Sequence, residues 1–187
     1  LGFYTCNFPE EVGGAGLNHL DFALVERELG RGSMALTHFF GRPQNILMAC
    51  KGEQIENYLL PAVRGEKMDA LAMTEPDAGS DVRGMKCFAK RDGTDWIVNG
   101  TKHFISGAEH ADFVIVFIAT GEEKTEKGPK KKITAFLVDR GTQGFTIRDG
   151  YNSVSHKGYK NMILEFDDCR LPKEQILGEI DGGFAVM

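Results

Sequence analysis

The feature that most constrains this chain is a change of period near Met68. Before it, apolar residues recur at helical spacing. After it, short apolar runs are cut by turn residues at regular intervals, a pattern that argues for an antiparallel barrel or sandwich. Met85 to Arg91, Trp96 to Val98 and Thr101 to Ile105 read as short strands joined by Asp92-Gly93 and Asn99-Gly100. Those dipeptides tolerate the positive φ angles of tight hairpin turns. Phe113 to Ala119 is almost wholly apolar and is expected to be a strand buried on both faces. Ile133 to Val138, Phe145 to Arg148 and Met162 to Phe166 complete the set. Gly121 to Lys132 is charged and interrupted by Gly and Pro, and reads as a loop. Leu171-Pro172 closes the strand-rich region.

Ahead of Met68 the signals are helical. Leu1 to Ala15 is an irregular lead-in broken by Pro9 and Gly13-Gly14. Asn18 is a good N-cap with Asp21 three residues on, and Leu20, Ala23, Leu24 and Leu29 carry an apolar face until Gly30 and Gly32 end it. A second helix is expected over Pro43 to Cys50 and a third over Glu53 to Leu60, with Pro61 after it. The fold class is therefore α+β: an N-terminal helical segment (1–67), an antiparallel β-barrel or sandwich (68–178) and a helical start after Gly182-Gly183 (179–187). The chain opens at Leu1 inside an apolar stretch and stops as that last helical pattern begins, so a piece of a longer protein is expected.

Composition narrows the function classes. With 187 residues, 42% apolar and 26% charged, the chain is long enough to bury roughly 70% of its unfolded surface. No apolar run approaches the roughly 20 residues a membrane helix needs, and the first residues do not read as a basic n-region followed by an apolar h-region. A net charge of −5 gives no reason to expect nucleic acid or an anionic membrane as partner. Cys6, Cys50, Cys87 and Cys169 are scattered, which favours reduced thiols in a cytosol-like compartment. The five histidines lack ligand spacing, so no metal site is expected.

Two stretches carry the chemistry. Leu71-Ala-Met-Thr-Glu-Pro-Asp-Ala-Gly-Ser-Asp81 runs from a strand end into a turn rich in small polar residues, where backbone N–H groups and hydroxyls face outward. Asn99-Gly-Thr-Lys-His-Phe-Ile-Ser-Gly107 ends in Phe104-Ile105-Ser106. Lining one site, they would offer an aromatic wall and fixed donors, the combination required by a ring that gains charge on reduction. Taken singly, Thr74, Gly79 and Ser80 are ordinary turn residues and Phe104 an ordinary strand aromatic. Trp96 reads as packing, and Glu75, Asp77 and Asp81 read as turn stabilisers and salt-bridge partners. Lys130-Lys131-Lys132 fits a solvated loop better than a phosphate contact.

Thr74-Glu-Pro-Asp-Ala-Gly-Ser-Asp81 and Gly100-Thr-Lys-His-Phe-Ile-Ser106, with the spacing between them, resemble the signatures of the acyl-CoA dehydrogenase family of FAD enzymes. The likeness runs from Phe8-Pro-Glu-Glu-Val-Gly-Gly-Ala-Gly16 to Leu177-Gly-Glu-Ile-Asp-Gly-Gly-Phe184. It implies an N-terminal helical domain, a middle β-barrel and a C-terminal helical bundle, the last missing here. The resemblance places Leu71, Met73 and Thr74 at the flavin ring, and Gly79 and Ser80 near the cofactor pyrophosphate and the pantetheine arm. Ser80 is thereby also a substrate contact. Phe104, Ile105 and Ser106 fall beside the ring, with the Ser106 hydroxyl near N5.

The implied reaction is α,β-dehydrogenation of an acyl-CoA thioester. Its base, a Glu, is expected on the C-terminal bundle, so no catalytic residue is assigned and this piece alone is expected to be inactive. Implied partners are acyl-CoA, an electron-acceptor flavoprotein and further copies of the chain (a tetramer or dimer at full length). The implied location is the cytoplasm, or the mitochondrial matrix in a eukaryote. One segment departs from the family: where a Ser-Asp-Thr-like run is usual, this chain has Tyr159-Lys160-Asn161, preceded by Ser155-His156-Lys157-Gly158. Alternatives are an oxygen-reactive flavoprotein of the same fold (acyl-CoA oxidase or flavin monooxygenase) and a catalytically incomplete flavin- or CoA-binding module.

Overall fold

A computed structural model describes residues 3–32, 42–126, 128–154, 157–158 and 160–187. After Met68 the chain builds one curled sheet of β1 (Asp69–Ala72), β2 (Phe88–Asp92), β3 (Asp95–Ser106), β4 (Phe113–Thr125), β5 (Gly128–Asp139), β6 (Phe145–Tyr151), β7 (Asn161–Leu171) and β8 (Ile176–Leu177). The order is β6-β7-β3-β2-β4-β5-β8, with β1 beside β4. Pairing is mostly antiparallel, but β1 runs parallel to β4, as does the one bridge between Phe88 and Ala119.

Strand alternation divides the core in two. On β4, Val114, Val116 and Ile118 point to one side, joined there by Phe136 and Val138 of β5 and by Trp96, Val98, Ile105 and Leu164. Phe113, Ile115 and Phe117 point to the other, where they meet Phe8, Leu47, Tyr58 and Leu59 of the helical segment. Residues 113–119 of β4 are thus buried on both faces, as their unbroken apolar run predicts, because the N-terminal segment covers the outside of the sheet there. Trp96 packs edge-on against Phe136 with ring centroids 6.1 Å apart.

Helix α1 (His19–Leu29) starts at Asn18, whose side-chain oxygen accepts from the backbone N–H groups of Leu20 and Asp21. Its apolar stripe is not buried among the described residues: Leu20 is 70% and Leu24 49% exposed. The expected helix over 43–50 is instead a 3-10 turn, Asn45–Ala49. Gln44 and Cys50 bound it in extended conformation and leave room only for i→i+3 bonds. The third helix outruns Pro61. A π-turn (Ile55–Leu59) leads into α2 (Leu60–Val63), with Pro61 in its first turn, where a missing N–H costs little.

Two turn expectations are corrected. Asp92-Gly93 does close the β2–β3 hairpin, with Asp92 opposite Asp95 and Gly93 at φ 63°. Asn99-Gly100, however, lies within one continuous strand, β3. Opposite it β7 carries an extra residue, and Asp168 takes a φ of 45°. The Asn99 amide holds that bulge, accepting from Asp168 N–H and donating to Asp168 Oδ1, both at 3.0 Å. Gly100 is needed there because a Cβ would stand 2.7 Å from Cys87 Cα. The second correction is the loop expected over 121–132: residues 121–125 extend β4 and residues 128–132 extend β5 as a hairpin arm. Its charges are complementary across the strands, with Glu122 opposite Lys131 at 2.9 Å and Glu123 opposite Lys130. Charge that reads as a loop in one dimension is a cross-strand ladder in three.

Candidate functional site

The two signature stretches meet. His103 N–H donates to Thr74 O at 2.9 Å, so the segment leaving β1 lies against the end of β3. Beneath that contact Lys102 is fully buried and Glu75 is 3% exposed. Lys102 Nζ lies 2.7 Å from Glu75 Oε1 and also donates to Met73 O at 3.0 Å. The Glu75 carboxylate further accepts the backbone N–H groups of Lys86 and Cys87. Glu75 N–H and Ala78 O close the turn at 2.9 Å. Both Glu75 oxygens are thus matched and the ammonium has two acceptors, the kind of compensation that lets a buried pair be tolerated. Glu75 serves as turn stabiliser and salt-bridge partner. Asp77 does the same at the surface, where a hydrogen bond from Lys86 at 2.7 Å lowers its pKa.

Next to this closed knot the strand opens outward. Alternation along β3 buries Trp96, Val98 and Lys102, and would bury Phe104 too. An extra residue between Lys102 and Ile105 prevents it. Phe104 takes φ 56°, turns out to 49% exposure, and leaves the inward place to Ile105 at 1%. Left-handed backbone at a bulky residue costs about 1–3 kcal/mol and is found where a side chain is being re-aimed. Phe104 stacks on Tyr151 with centroids 4.2 Å apart, and Tyr151 OH lies 3.3 Å from His103 Nδ1. One step along, Ser106 Oγ donates to Asn161 Oδ1 at 2.9 Å. Tyr151 and Asn161 face each other across β6 and β7.

The sequence-designated residues therefore divide. Leu71 and Met73 lean on the outer core, so their backbone is what they offer a ligand. The Ile105 side chain belongs to the inner core and likewise leaves only its backbone. Thr74 is half-buried, and its hydroxyl has no hydrogen-bond partner among the described residues. Gly79 and Ser80 are exposed on the turn, and a Cβ at Gly79 would meet nothing within 4 Å. The chain's own packing does not call for glycine there. Beyond Ser106 a cleft of about 620 Å³ opens between the loops after β3 and β6, lined by Glu109, His110, Lys157 and Lys160 among others. Ser155, His156 and Tyr159 lie outside the described residues.

Sequence reasoning assigned no role to Lys102 and His103, although both lie in the second stretch, and did not name Tyr151 at all. Lys102 alone left a signal: a lysine two residues from Gly100, on the inward parity of a strand, demands a buried acid. Tyr151 is brought in only by the pairing of β6 with β7.

Profile comparison matches residues 70–169 to the acyl-CoA dehydrogenase middle domain and residues 1–66 to the acyl-CoA dehydrogenase N-terminal domain. The human mitochondrial short-chain specific acyl-CoA dehydrogenase is 35% identical over 192 residues, covering 100% of this chain and 45% of that protein. A subunit of the caffeyl-CoA reductase–Etf complex of Acetobacterium woodii is 32% identical over 190 residues, covering 99% of this chain and 49% of that protein. The structure of a glutaryl-CoA dehydrogenase from Mycobacterium smegmatis in complex with FADH2 superposes with a TM-score of 0.84 at 28% identity, over 99% of this chain and 46% of that one. The chain thus spans about half the length of the relatives it matches.

Proposed function

Since this chain belongs to the acyl-CoA dehydrogenase family, we propose that its β-sheet holds FAD for the α,β-dehydrogenation of an acyl-CoA thioester. The observation that carries this reading is Phe104, turned out of the core by a strained bulge to present an exposed aromatic ring, next to His103 whose N–H meets Thr74 O and two residues before Ser106. The residues suit the cofactor: an exposed aromatic, a Thr74 hydroxyl without a hydrogen-bond partner among the described residues and an exposed turn at Gly79 and Ser80 with open space above Gly79. When bound, FAD supplies the hydride acceptor that no side chain can provide.

The chain's own part is to bind and orient. Thr74 donates a hydroxyl, the backbone at Leu71, Met73 and Ile105 offers polar groups, and Phe104 supplies an apolar wall that excludes water. Gly79 and Ser80 let phosphate oxygens and the pantetheine arm approach the turn, Ser80 touching substrate as well. The proton-abstracting Glu belongs in this reading to a helical bundle outside the chain. The domains are then 1–67, 68–178 and 179–187, the last being the start of that bundle. An electron-acceptor flavoprotein takes the electrons, in keeping with the Etf-complex relative. The protein works as a dimer or tetramer, in the cytoplasm or a mitochondrial matrix, where its four free cysteines stay reduced. No helix among the described residues is long and apolar enough to cross a membrane.

The test is an anaerobic visible spectrum of the protein expressed from its complete gene, before and after addition of acyl-CoA thioesters of different chain length. Bleaching of the oxidised flavin band by one of them is expected. A bound flavin that no thioester reduces would remove the dehydrogenase assignment.

A further inference from the structure

We propose that Asn161 is a positioning residue that makes the Ser106 hydroxyl an acceptor, not a donor, toward the flavin, and so favours the reduced cofactor. The inference rests on the flavin reading above. A serine hydroxyl has one hydrogen and two lone pairs. Here the hydrogen is taken: Ser106 Oγ donates to Asn161 Oδ1 at 2.9 Å in a partly buried setting. Both residues sit on strands whose register holds them together, since Ser106 and Asn161 are cross-strand partners of β3 and β7. Asn161 is held from its other side by Tyr151 of β6, which is in turn stacked on Phe104. The pair is therefore built into the sheet.

The consequence follows from which form of the ring has a hydrogen to give. The oxidised flavin offers only a lone pair at N5; the two-electron-reduced flavin carries a hydrogen there. A Ser106 oxygen with its own hydrogen committed repels the first and accepts from the second. A carboxamide oxygen is a strong acceptor that cannot itself be titrated, so the orientation of Ser106 is fixed independently of pH. Tuning by one such bond is worth about tenfold in the oxidised-to-reduced equilibrium, which for a two-electron couple is about 30 mV.

The experiment is the reduction potential of bound FAD in the protein from its complete gene, for wild type, Asn161→Leu, Asn161→Thr and Ser106→Ala. Asn161→Leu has similar shape but cannot accept, so it frees the Ser106 hydrogen to bond the oxidised ring and should lower the potential by about 30 mV. Asn161→Thr keeps an acceptor and should lie near wild type, and it keeps the test open if the leucine variant does not fold. In a Ser106→Ala background the Asn161→Leu shift should vanish, which a merely structural role of Asn161 would not produce. An unchanged or raised potential in Asn161→Leu overturns the inference while leaving the flavin reading intact. Failure of wild type to bind FAD overturns both.

Discussion

Two neighbouring residues of β3 show how one strand does two jobs. Lys102 is fully buried, with its ammonium shared between Glu75 and Met73 O. Phe104 is half exposed, strained at φ 56° and held by stacking on Tyr151. The first spends its bonding capacity inward to lock the Thr74 turn against the sheet. The second keeps its surface for something outside the chain. Removing the first should cost stability, and removing the second should cost binding.

The sharpest break is Lys102→Met. It leaves the Glu75 carboxylate buried without its cation, a loss of about 3–5 kcal/mol. For a chain of this size that is roughly 10 °C in melting temperature, readable by calorimetry or urea titration. The double variant Lys102→Met/Glu75→Gln removes the stranded charge and should recover part of the loss; no recovery would mean that the pair is not the latch described here. Next in size is Gly100→Ala, whose Cβ would strike Cys87 Cα at 2.7 Å with φ at 137°. A loss of about 1–3 kcal/mol is expected. Phe104→Ala inverts the pattern. Stability should fall by only about 1 kcal/mol, the worth of the aromatic pair, while FAD affinity should fall about tenfold. A large stability loss with unchanged FAD binding would make Phe104 a packing residue after all.

The smallest effect at neutral pH concerns the thiols behind the latch. Burial pushes Cys87 from its ordinary value of 9.0 up to about 12, against a smaller lowering by Lys102. Burial likewise raises Cys169 to about 11. The folded state disfavours the thiolates that the unfolded chain forms above its ordinary pKa. The stability they contribute is therefore complete below about pH 9 and is lost as pH rises toward 11–12. Iodoacetamide at pH 8 should leave these thiols unmodified in native protein and alkylate them in urea.

The same contrast explains what the sequence made legible. The α+β order, the Asn18 cap, the Asp92-Gly93 hairpin and the burial of β4 follow from local pattern, because period, capping and turn chemistry act over a few residues. Asn99-Gly100 and residues 121–132 were misread for one reason. Their conformations are set by partners far along the chain: Asp168 for the bulge, Lys131 and Lys130 for the arm. The site was legible as two stretches but not as a surface. Nothing local says that a bulge after Lys102 exchanges the places of Phe104 and Ile105, or that Tyr151 and Asn161 stand beside Phe104 and Ser106.

The most direct test of the central claim is FAD retention by the purified protein from its complete gene, measured as flavin absorbance per protein in parallel with that of Thr74→Val. The account predicts stoichiometric FAD on the folded wild type and a weakened, more readily lost flavin on Thr74→Val, with the melting temperature of the flavin-free variant unchanged. Folded wild-type protein that takes up no FAD when it is supplied in excess would contradict it.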